Sequence, residues 1–338
     1  MKQLTTTITI GLFLLLPVAC TQEYGEEQVS NNEITVSFTA TAGALATQAT
    51  ATSADKSLET GANVTVHAWT SALTSETSEK PALSNTYTVD NTEATAVLKA
   101  TGGLMQVQTG LNYSFYALST NSATDAVPAL NGSHQTSTLR NGVDYLMATA
   151  NIGNSSADAT VSLPFRHLAT RIVLTVKPAA EGGYLSAAAL SVSIADTDPT
   201  GSYIDLSVGS GSPALITGGV PGDLPNGQTK QAVAVSSSSP STEFTVSFIL
   251  LPVTASTRGI PLKLDFTDLS FESDKTIGSK SYTASILPET DGTLTLKGGY
   301  SYTYEVTIAR YAASFSLPTI IPWEQFGVDM DKIELDPK

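Results

Sequence analysis

The chain has a single cysteine, Cys20, in 338 residues. An internal disulfide is therefore impossible, and a zinc site built on several thiolates is excluded. Helical patterning is also scarce, because no segment repeats apolar residues convincingly at helical spacing. A fold of this length without a disulfide must be held together by packed sheets.

Charged residues are few, at 14% of the chain, and they are mostly acidic. With 17 Lys and Arg against 31 Asp and Glu, the formal net charge is −14. A field of this sign disfavours binding to nucleic acid or to an anionic lipid surface, so we expect no nucleic-acid partner.

Catalytic constellations are also absent from the sequence. The three histidines, His67, His134 and His167, have no repeated partner pattern, and no G-x-S-x-G or phosphate-binding glycine motif occurs. We therefore predict no catalytic residue, no metal ligand, no cofactor and no enzymatic activity. His67 alternates with Val64 and Val66 and is predicted to face solvent, and His167 is predicted to be structural.

One long apolar run is present, from Ile8 to Cys20, behind the charged start Met1-Lys2. A short apolar core that ends in small residues and a cysteine is typical of a bacterial lipoprotein signal peptide. We interpret residues 1–19 as that signal, Cys20 as the lipidated residue and the polar residues 20–33 as a flexible tether. The alternative is an ordinary signal peptide that ends near a buried free cysteine.

From Ile34 onward the apolar residues recur with a period of two, which indicates strands with one buried face. Turn-forming Gly, Pro, Asp and Asn separate these segments. The pattern predicts an all-β chain of two tandem antiparallel Greek-key sandwiches, over residues 34–157 and 158–338, divided at the polar stretch 151–158. The clearest sets are Ile34, Val36, Phe38 and Ala40; Val64, Val66 and Ala68; Leu111, Tyr113, Phe115 and Ala117; Leu190, Val192 and Ile194; Ile204, Leu206 and Val208; Phe244, Val246, Phe248 and Leu250; and Ile260, Leu262, Leu264 and Phe266.

The segment 161–176 changes its buried face partway along. Val161, Leu163 and Phe165 alternate in one phase, whereas the apolar residues from Leu168 to Val176 alternate in the other. A shift of one residue turns every side chain to the opposite face, so we predict one long strand with a bulge or bend near His167.

Four stretches in order along the chain resemble the fimbrillin-like lipoproteins, the type V pilins of anaerobic Gram-negative bacteria. Residues 163–174 resemble the F-x-H-x-x-A-x-x-x-V segment of that family, and residues 144–148 resemble the segment just upstream of it. Residues 294–308 are similar to the family's glycine-tyrosine strand, and residues 320–323 are similar to the I-x-x-W that follows.

This resemblance implies two transthyretin-like sandwich domains in a lipoprotein of the outer membrane, displayed at the cell surface in a fimbria as its tip, stalk or anchor. In that family a protease removes the first strand of the N-terminal domain after an Arg, and a strand of a neighbouring pilin subunit fills the groove. The displaceable strand would here be the segment with Ile34, Val36, Phe38 and Ala40.

The sequence departs from the family at the cut, because no Arg occurs between Thr21 and Leu139. Lys56 is the basic residue that follows the first strand most closely and is therefore a possible processing site. Two other possibilities are that a different protease makes the cut, or that the chain is never cut and stays an anchor. At the C-terminus, Phe326, Val328 and Met330 alternate as a donor strand would, but the period breaks at Asp331, so a short edge strand is equally compatible.

A second hypothesis needs no fibre. A surface lipoprotein with tandem sandwiches could bind a glycan or a protein of a host or bacterial surface through its loops. Formation of polymers after trimming would distinguish the two hypotheses.

Overall fold

The computed structural model describes residues 33–42, 58–92, 96–197, 201–208, 230–272, 275–288 and 292–323, whose regular secondary structure is almost entirely β-strand. All of them lie in one compact unit that begins at Glu33. The predicted all-β class is confirmed. No helix among these residues is long and apolar enough to span a membrane.

The first eight strands form one sheet in the order β4-β3-β2-β6-β7-β8-β1-β5. Strand β4 also pairs with β1, so the sheet closes on itself in the manner of a barrel. Polar residues 153–158 connect β7 to β8 within this sheet. The strands are β1 (Glu33–Ala42), β2 (Asn63–Trp69), β3 (Leu83–Asp90), β4 (Ala96–Ala100), β5 (Met105–Gln108), β6 (Tyr113–Ser119), β7 (Leu146–Ile152) and β8 (Ala159–His167).

The later strands form two main sheets, ordered β11-β10-β14-β17 and β12-β9-β19-β20, with β21 also paired to β19. Strands β13 and β18 form one short ribbon and β15 and β16 another. The strands are β9 (Thr170–Pro178), β10 (Ala187–Ala195), β11 (Lys230–Ser241), β12 (Phe244–Leu250), β13 (Val253–Ser256), β14 (Ile260–Thr267), β15 (Ser270–Glu272), β16 (Lys275–Thr276), β17 (Lys280–Ile286), β18 (Leu294–Leu296), β19 (Tyr300–Ile308), β20 (Ala313–Phe315) and β21 (Thr319–Pro322).

These two sheets form a sandwich with a shared apolar core. Alternate residues of β9, β10, β12, β14 and β19 point into it, because successive side chains of a strand face opposite sides. Tyr302 and Tyr304 are buried there with Val306 and Ile308. The glycine-tyrosine strand therefore contributes to the core.

The phase change near His167 is a crossing from one sheet to another. Strand β8 pairs with β1 and β7 in the first sheet, whereas β9 begins at Thr170 in the sandwich. The predicted irregularity near His167 is present, but the prediction of one long strand with a bulge or bend was wrong, because Leu168 and Ala169 lie between two separate strands. Residues 159–167 belong to the first sheet by their hydrogen bonds, although they lie beyond the boundary predicted at residue 158.

Ile204, Leu206 and Val208 do not form the predicted strand. Leu206–Val208 is a 3₁₀ turn in which the backbone N–H and hydroxyl of Ser207 donate to Asp205 Oδ1 over 3.0 and 2.6 Å. Local bonding to an Asp side chain favours a turn over a strand. Ile204 and Leu206 are nevertheless fully buried. They lie in an apolar cluster separate from the cores of the first sheet and of the sandwich, called here the third apolar cluster. Its other members come from both halves of the chain and include Trp69, Tyr116, Met147, Leu168 and Leu251.

The sequence predicted that His67 faces solvent, but this prediction was wrong. The same cluster explains why His67 is buried. Every residue of β6 is buried, so the sheet is covered on its outer face as well as its inner face. His67 lies opposite Tyr116 of β6, its ring centroid is 6.0 Å from that of Trp69, and its Nδ1 is 2.8 Å from Ser84 Oγ. Its Nε2 is buried without a hydrogen-bond partner.

Burial lowers the pKa of His67 from its usual 6.5 to about 4. The unfolded chain takes up a proton near pH 6.5 and the folded chain does not, so stability falls as the pH drops from about 6.5 towards 4. A shift of this size corresponds to a loss of up to about 3 kcal/mol. We expect His67→Gln to reduce the difference between the urea unfolding midpoints at pH 6.5 and at pH 4.5. If this difference is the same in the variant and in the parent protein, the expectation is contradicted.

Candidate functional site

Strand β1 occupies the place where the first sheet closes. One edge of β1 pairs with β8 in parallel, from Val36 opposite Ala159 onward. Its other edge is shared by two strands, with Ile34 opposite Val107 of β5 and Phe38 opposite Leu98 of β4. Loss of β1 would therefore separate β8 from β4 and β5 and leave backbone donors and acceptors unpaired on both sides.

The inner face of β1 is apolar throughout. Ile34, Val36, Phe38 and Ala40 are all buried, as the alternation predicts for a strand with one face in a core. The ring of Phe38 lies edge-on to Tyr87 and Phe115, with centroid distances of 5.5 and 5.1 Å. These contacts make Phe38 the main packing anchor of β1.

The outer face of β1 is polar, and hydrogen bonds that involve side chains connect β1 to β8 and to Asp158 just before it. Thr35 N donates to Asp158 Oδ1 over 2.8 Å, and the hydroxyls of Ser37 and Thr160 are 2.9 Å apart. Exposed hydrogen bonds of this kind contribute little net stability. Most of the energy that retains β1 therefore comes from its apolar inner face.

A second site forms where the recognised motifs meet, at the chain crossing between the two halves. Asp144 Oδ1 is 2.6 Å from His167 Nδ1, and both side chains are shielded from solvent. The ring of Trp323 stacks on His167 at a centroid distance of 4.3 Å and an interplanar angle of 11°. The upstream segment, the F-x-H segment and the I-x-x-W segment thus meet at one point, although about 180 residues separate Asp144 from Trp323.

The glycine pair of the glycine-tyrosine motif, Gly298 and Gly299, completes this cluster, because a side chain there has no room. A Cβ added at Gly298 would lie 2.1 Å from the carbonyl oxygen of Leu168, which is backbone and cannot move aside. Gly299 has a φ of +78°, and its N–H donates to Ala169 O over 2.9 Å. Trp323 N donates in turn to Gly299 O over 2.8 Å. Glycine allows the strand before β19 to approach the crossing segment closely.

This histidine cluster is structural in its geometry. The His167 and Asp144 side chains are only 2% and 11% exposed, and the ring of Trp323 is stacked on the imidazole, so little of either group is accessible to a dissolved substrate. Within the described ranges, no group of three or more Cys, His, Asp or Glu side chains is placed to hold a metal ion. Asp144, His167 and Trp323 each lie in a motif that the sequence shows. The sequence did not indicate that these three side chains are in contact.

Several of the sequence-predicted site residues cannot be placed. Cys20, Lys56, Phe326, Val328 and Met330 all lie outside the described residues. The structure does place Ile34, Val36, Phe38 and Ala40 together in one strand, as the alternation predicted. Their displacement by another strand is not tested by this geometry and stays a prediction.

An open apolar groove that the sequence did not predict runs along the edge of the sandwich. It lies between β17 and β20, the last strands of the two main sheets, and its volume is about 930 Å³. Its walls are mostly apolar and include Ile286, Leu287, Tyr304, Phe315 and Leu317.

The fold resembles several solved structures at low sequence identity. A protein of Bacteroides uniformis, provisionally described as a cell adhesion protein, matches with a TM-score of 0.54 and 16% identity over 88% of this chain and 100% of its own. Similarly described proteins match with TM-scores of 0.51 for Bacteroides fragilis, at 16% identity, and 0.52 for Bacteroides ovatus, at 13% identity. Both cover 86% of this chain and 97% of their own. At such identities the likeness concerns the fold alone.

No curated protein sequence matches the chain significantly. The family comparison is more informative, because the model of the family described as fimbrillin-like matches residues 24–323. That range includes β1, the histidine cluster and the strands of both halves. The chain belongs to the fimbrillin-like family.

Proposed function

We propose that this chain is a structural and adhesive subunit of a surface fimbria, without enzymatic activity, and that it joins its neighbours by exchange of β1. The carrying observation is the position of β1, which closes the first sheet and is held mainly by one apolar face. A strand from a neighbouring subunit with the same alternation would restore every backbone pair and every buried contact.

The proposal requires that β1 leave its place. A peptide bond broken after Lys56, between β1 and β2, would leave β1 attached by noncovalent contacts alone. Its replacement by a donor strand of another subunit is then an exchange of like for like. The donor we propose is the C-terminal segment with Phe326, Val328 and Met330, whose spacing repeats that of Val36, Phe38 and Ala40.

Attachment to the cell is the second part of the proposal. Export as a lipoprotein with several acyl chains on Cys20 would hold the uncut subunit at the outer membrane. Cleavage after Lys56 would release the subunit from its lipid, whereas an uncut chain would remain an anchor. Mass spectrometry of the protein recovered from the cell surface identifies its first residue and its lipid, and an N-terminus other than Cys20 or a position after Lys56 would contradict this part.

The exchange is tested on the full chain by limited digestion with a protease specific for Lys. We expect the digested protein to form a ladder of oligomers that resists denaturing electrophoresis. Lys56→Ala is the matched control, because it removes the proposed cut and leaves the other lysines available. It is expected to remain monomeric under the same digestion.

The donor strand is tested in the same assay with Val328→Asp, which places a charge at the centre of the proposed apolar set. We expect this variant to be cut normally but to form no ladder. A ladder of unchanged length would refute the C-terminal donor. If the cut parent protein and every cut variant stay monomeric, strand exchange is refuted and the non-polymerising surface lipoprotein is favoured.

A further inference from the structure

We propose that the sandwich carries a binding site for an uncharged pyranose sugar at the end opposite its junction with the first sheet. Strand β19 starts beside Arg171 near the junction and ends beside Pro178. At that far end, residues 182–183, 271–272 and 309–312 surround an open cavity of about 480 Å³. The volume is within the range of ligand pockets. This site concerns what the subunit adheres to and is independent of strand exchange.

An exposed aromatic ring stands at the edge of this cavity. Tyr311 is 87% exposed, so its ring gains almost nothing from burial in the folded chain. The ammonium group of Lys280 lies 5.4 Å from the ring centroid and holds the ring by a cation–π contact. An exposed ring that is already ordered offers a flat apolar surface to a ligand at a low entropic cost. The apolar face of a pyranose ring is complementary to such a surface.

Hydrogen-bonding groups of both kinds lie beside this ring. Arg310 Nη2 is 2.7 Å from Glu272 Oε1, and both side chains are about half exposed. An exposed ion pair of this type contributes little to stability. Both side chains can therefore leave the ion pair and bind a ligand instead. A guanidinium donates and a carboxylate accepts, and two adjacent sugar hydroxyls can satisfy both groups together.

The loop that presents these groups is fixed by its backbone. Arg310 N donates to Gly182 O over 3.1 Å, and Ala309 N donates to Ala312 O over 2.9 Å. The carbonyl oxygen of Arg310 accepts from the ammonium group of Lys280 and from the hydroxyl of Tyr282. A loop held in this way has a preorganised geometry, which a weak ligand such as a sugar requires.

The charge of the lining selects an uncharged ligand. Glu272 and Arg310 are the charged residues of the lining, and their charges cancel. Lys280 is turned towards the rings of Phe271, Tyr282 and Tyr311 and towards the loop carbonyl. A negatively charged sugar would gain little here and would approach a chain with a formal net charge of −14.

The test is saturation-transfer NMR on the full chain, kept in solution with lauryldimethylamine oxide, a detergent without a sugar head group. The probes are glucose, galactose, mannose, fucose and N-acetylglucosamine, with glucuronate as the charged comparison. We expect at least one neutral sugar to bind with roughly millimolar affinity, as its small size dictates. Tyr311→Ala should weaken this binding by about tenfold or more, because an aromatic anchor is lost.

Three further variants separate this site from general surface effects. Tyr311→Phe keeps the ring and should retain the affinity, whereas Arg310→Lys loses the planar guanidinium and should weaken binding. Leu317→Ala removes an equally exposed apolar side chain in the groove beside β20 and should change nothing. Binding of no neutral sugar, binding of glucuronate alone, or full affinity in Tyr311→Ala would each overturn the proposal.

Discussion

Replacement of His167 by alanine is expected to lower the free energy of unfolding by about 3–5 kcal/mol, as removal of one partner of a buried polar pair does. The imidazole is 2% exposed and is enclosed between the Asp144 carboxylate and the ring of Trp323. Its loss removes both contacts and leaves a cavity at the crossing between β8 and β9. Chemical denaturation followed by circular dichroism measures the change.

The carboxylate explains why the effect is large. Without His167, the side chain of Asp144 keeps the amide of Asn121 as its one described side-chain partner, at 3.1 Å from its Oδ2. A buried carboxylate that loses a hydrogen-bond donor must bear a desolvation cost of about 1–3 kcal/mol or more. Asp144→Asn in the His167→Ala background removes that charge. We therefore expect the double variant to lose less free energy of unfolding than the sum of the losses in the two single variants.

His134→Ala is the matched control, since His134 also pairs with a carboxylate, Asp205, at 2.9 Å and is also buried. Asp205 Oδ1 keeps two donors from Ser207 after this substitution, so the loss should be about 1–2 kcal/mol. Equal losses for the two variants would show that the histidine cluster has no special role. Fluorescence of Trp323 should change with His167→Ala and not with His134→Ala, because the latter histidine is not stacked on it.

The period of two was sufficient to predict the all-β class and strands β1, β2, β6, β10, β12 and β14. Alternation at Ile34, Val36, Phe38 and Ala40 reports burial of one face directly, and the structure confirms that face. The change of phase at His167 was also visible. A bulge and a crossing between sheets produce the same shift in the sequence, so the choice between them depends on pairing partners that lie far away along the chain.

Failures occurred where another segment covers the outer face of a sheet. His67 follows the alternation of a solvent-facing residue, but the cluster around Trp69 and Tyr116 buries it. Ile204 and Leu206 alternate like strand residues because both fill that same cluster from a turn. Periodicity reports which residues are buried and does not identify the element that buries them.

The candidate sites differ in the same respect. Strand β1 could be predicted because it is a continuous segment with its own pattern. The contact between Asp144, His167 and Trp323 could not, since motif positions do not reveal which side chains meet. The cavity beside Tyr311 is assembled from three segments that are distant in sequence, so no local pattern indicates it.

Phe38→Ala is the second substitution with a large expected effect, and it should act in opposite directions in two assays. Phe38 is fully buried between the rings of Tyr87 and Phe115, so truncation should lower the free energy of unfolding of the uncut chain by about 3–5 kcal/mol. If β1 is the exchanged strand, the same loss weakens its hold after cleavage. The cut variant should then release β1 and form oligomers faster than the cut parent protein.

Thr39→Ala is the control for both assays, because Thr39 lies in the same strand with its side chain outside the core. We expect it to change stability by less than about 1 kcal/mol and to leave the rate of oligomer formation unchanged. A synthetic peptide with the sequence of residues 34–40 should slow oligomer formation of the cut parent protein by occupying the groove, and the peptide with Phe38→Ala should not. If Phe38→Ala destabilises the uncut chain but leaves the exchange rate as it was, β1 is a packing element of the first sheet and another segment joins the subunits.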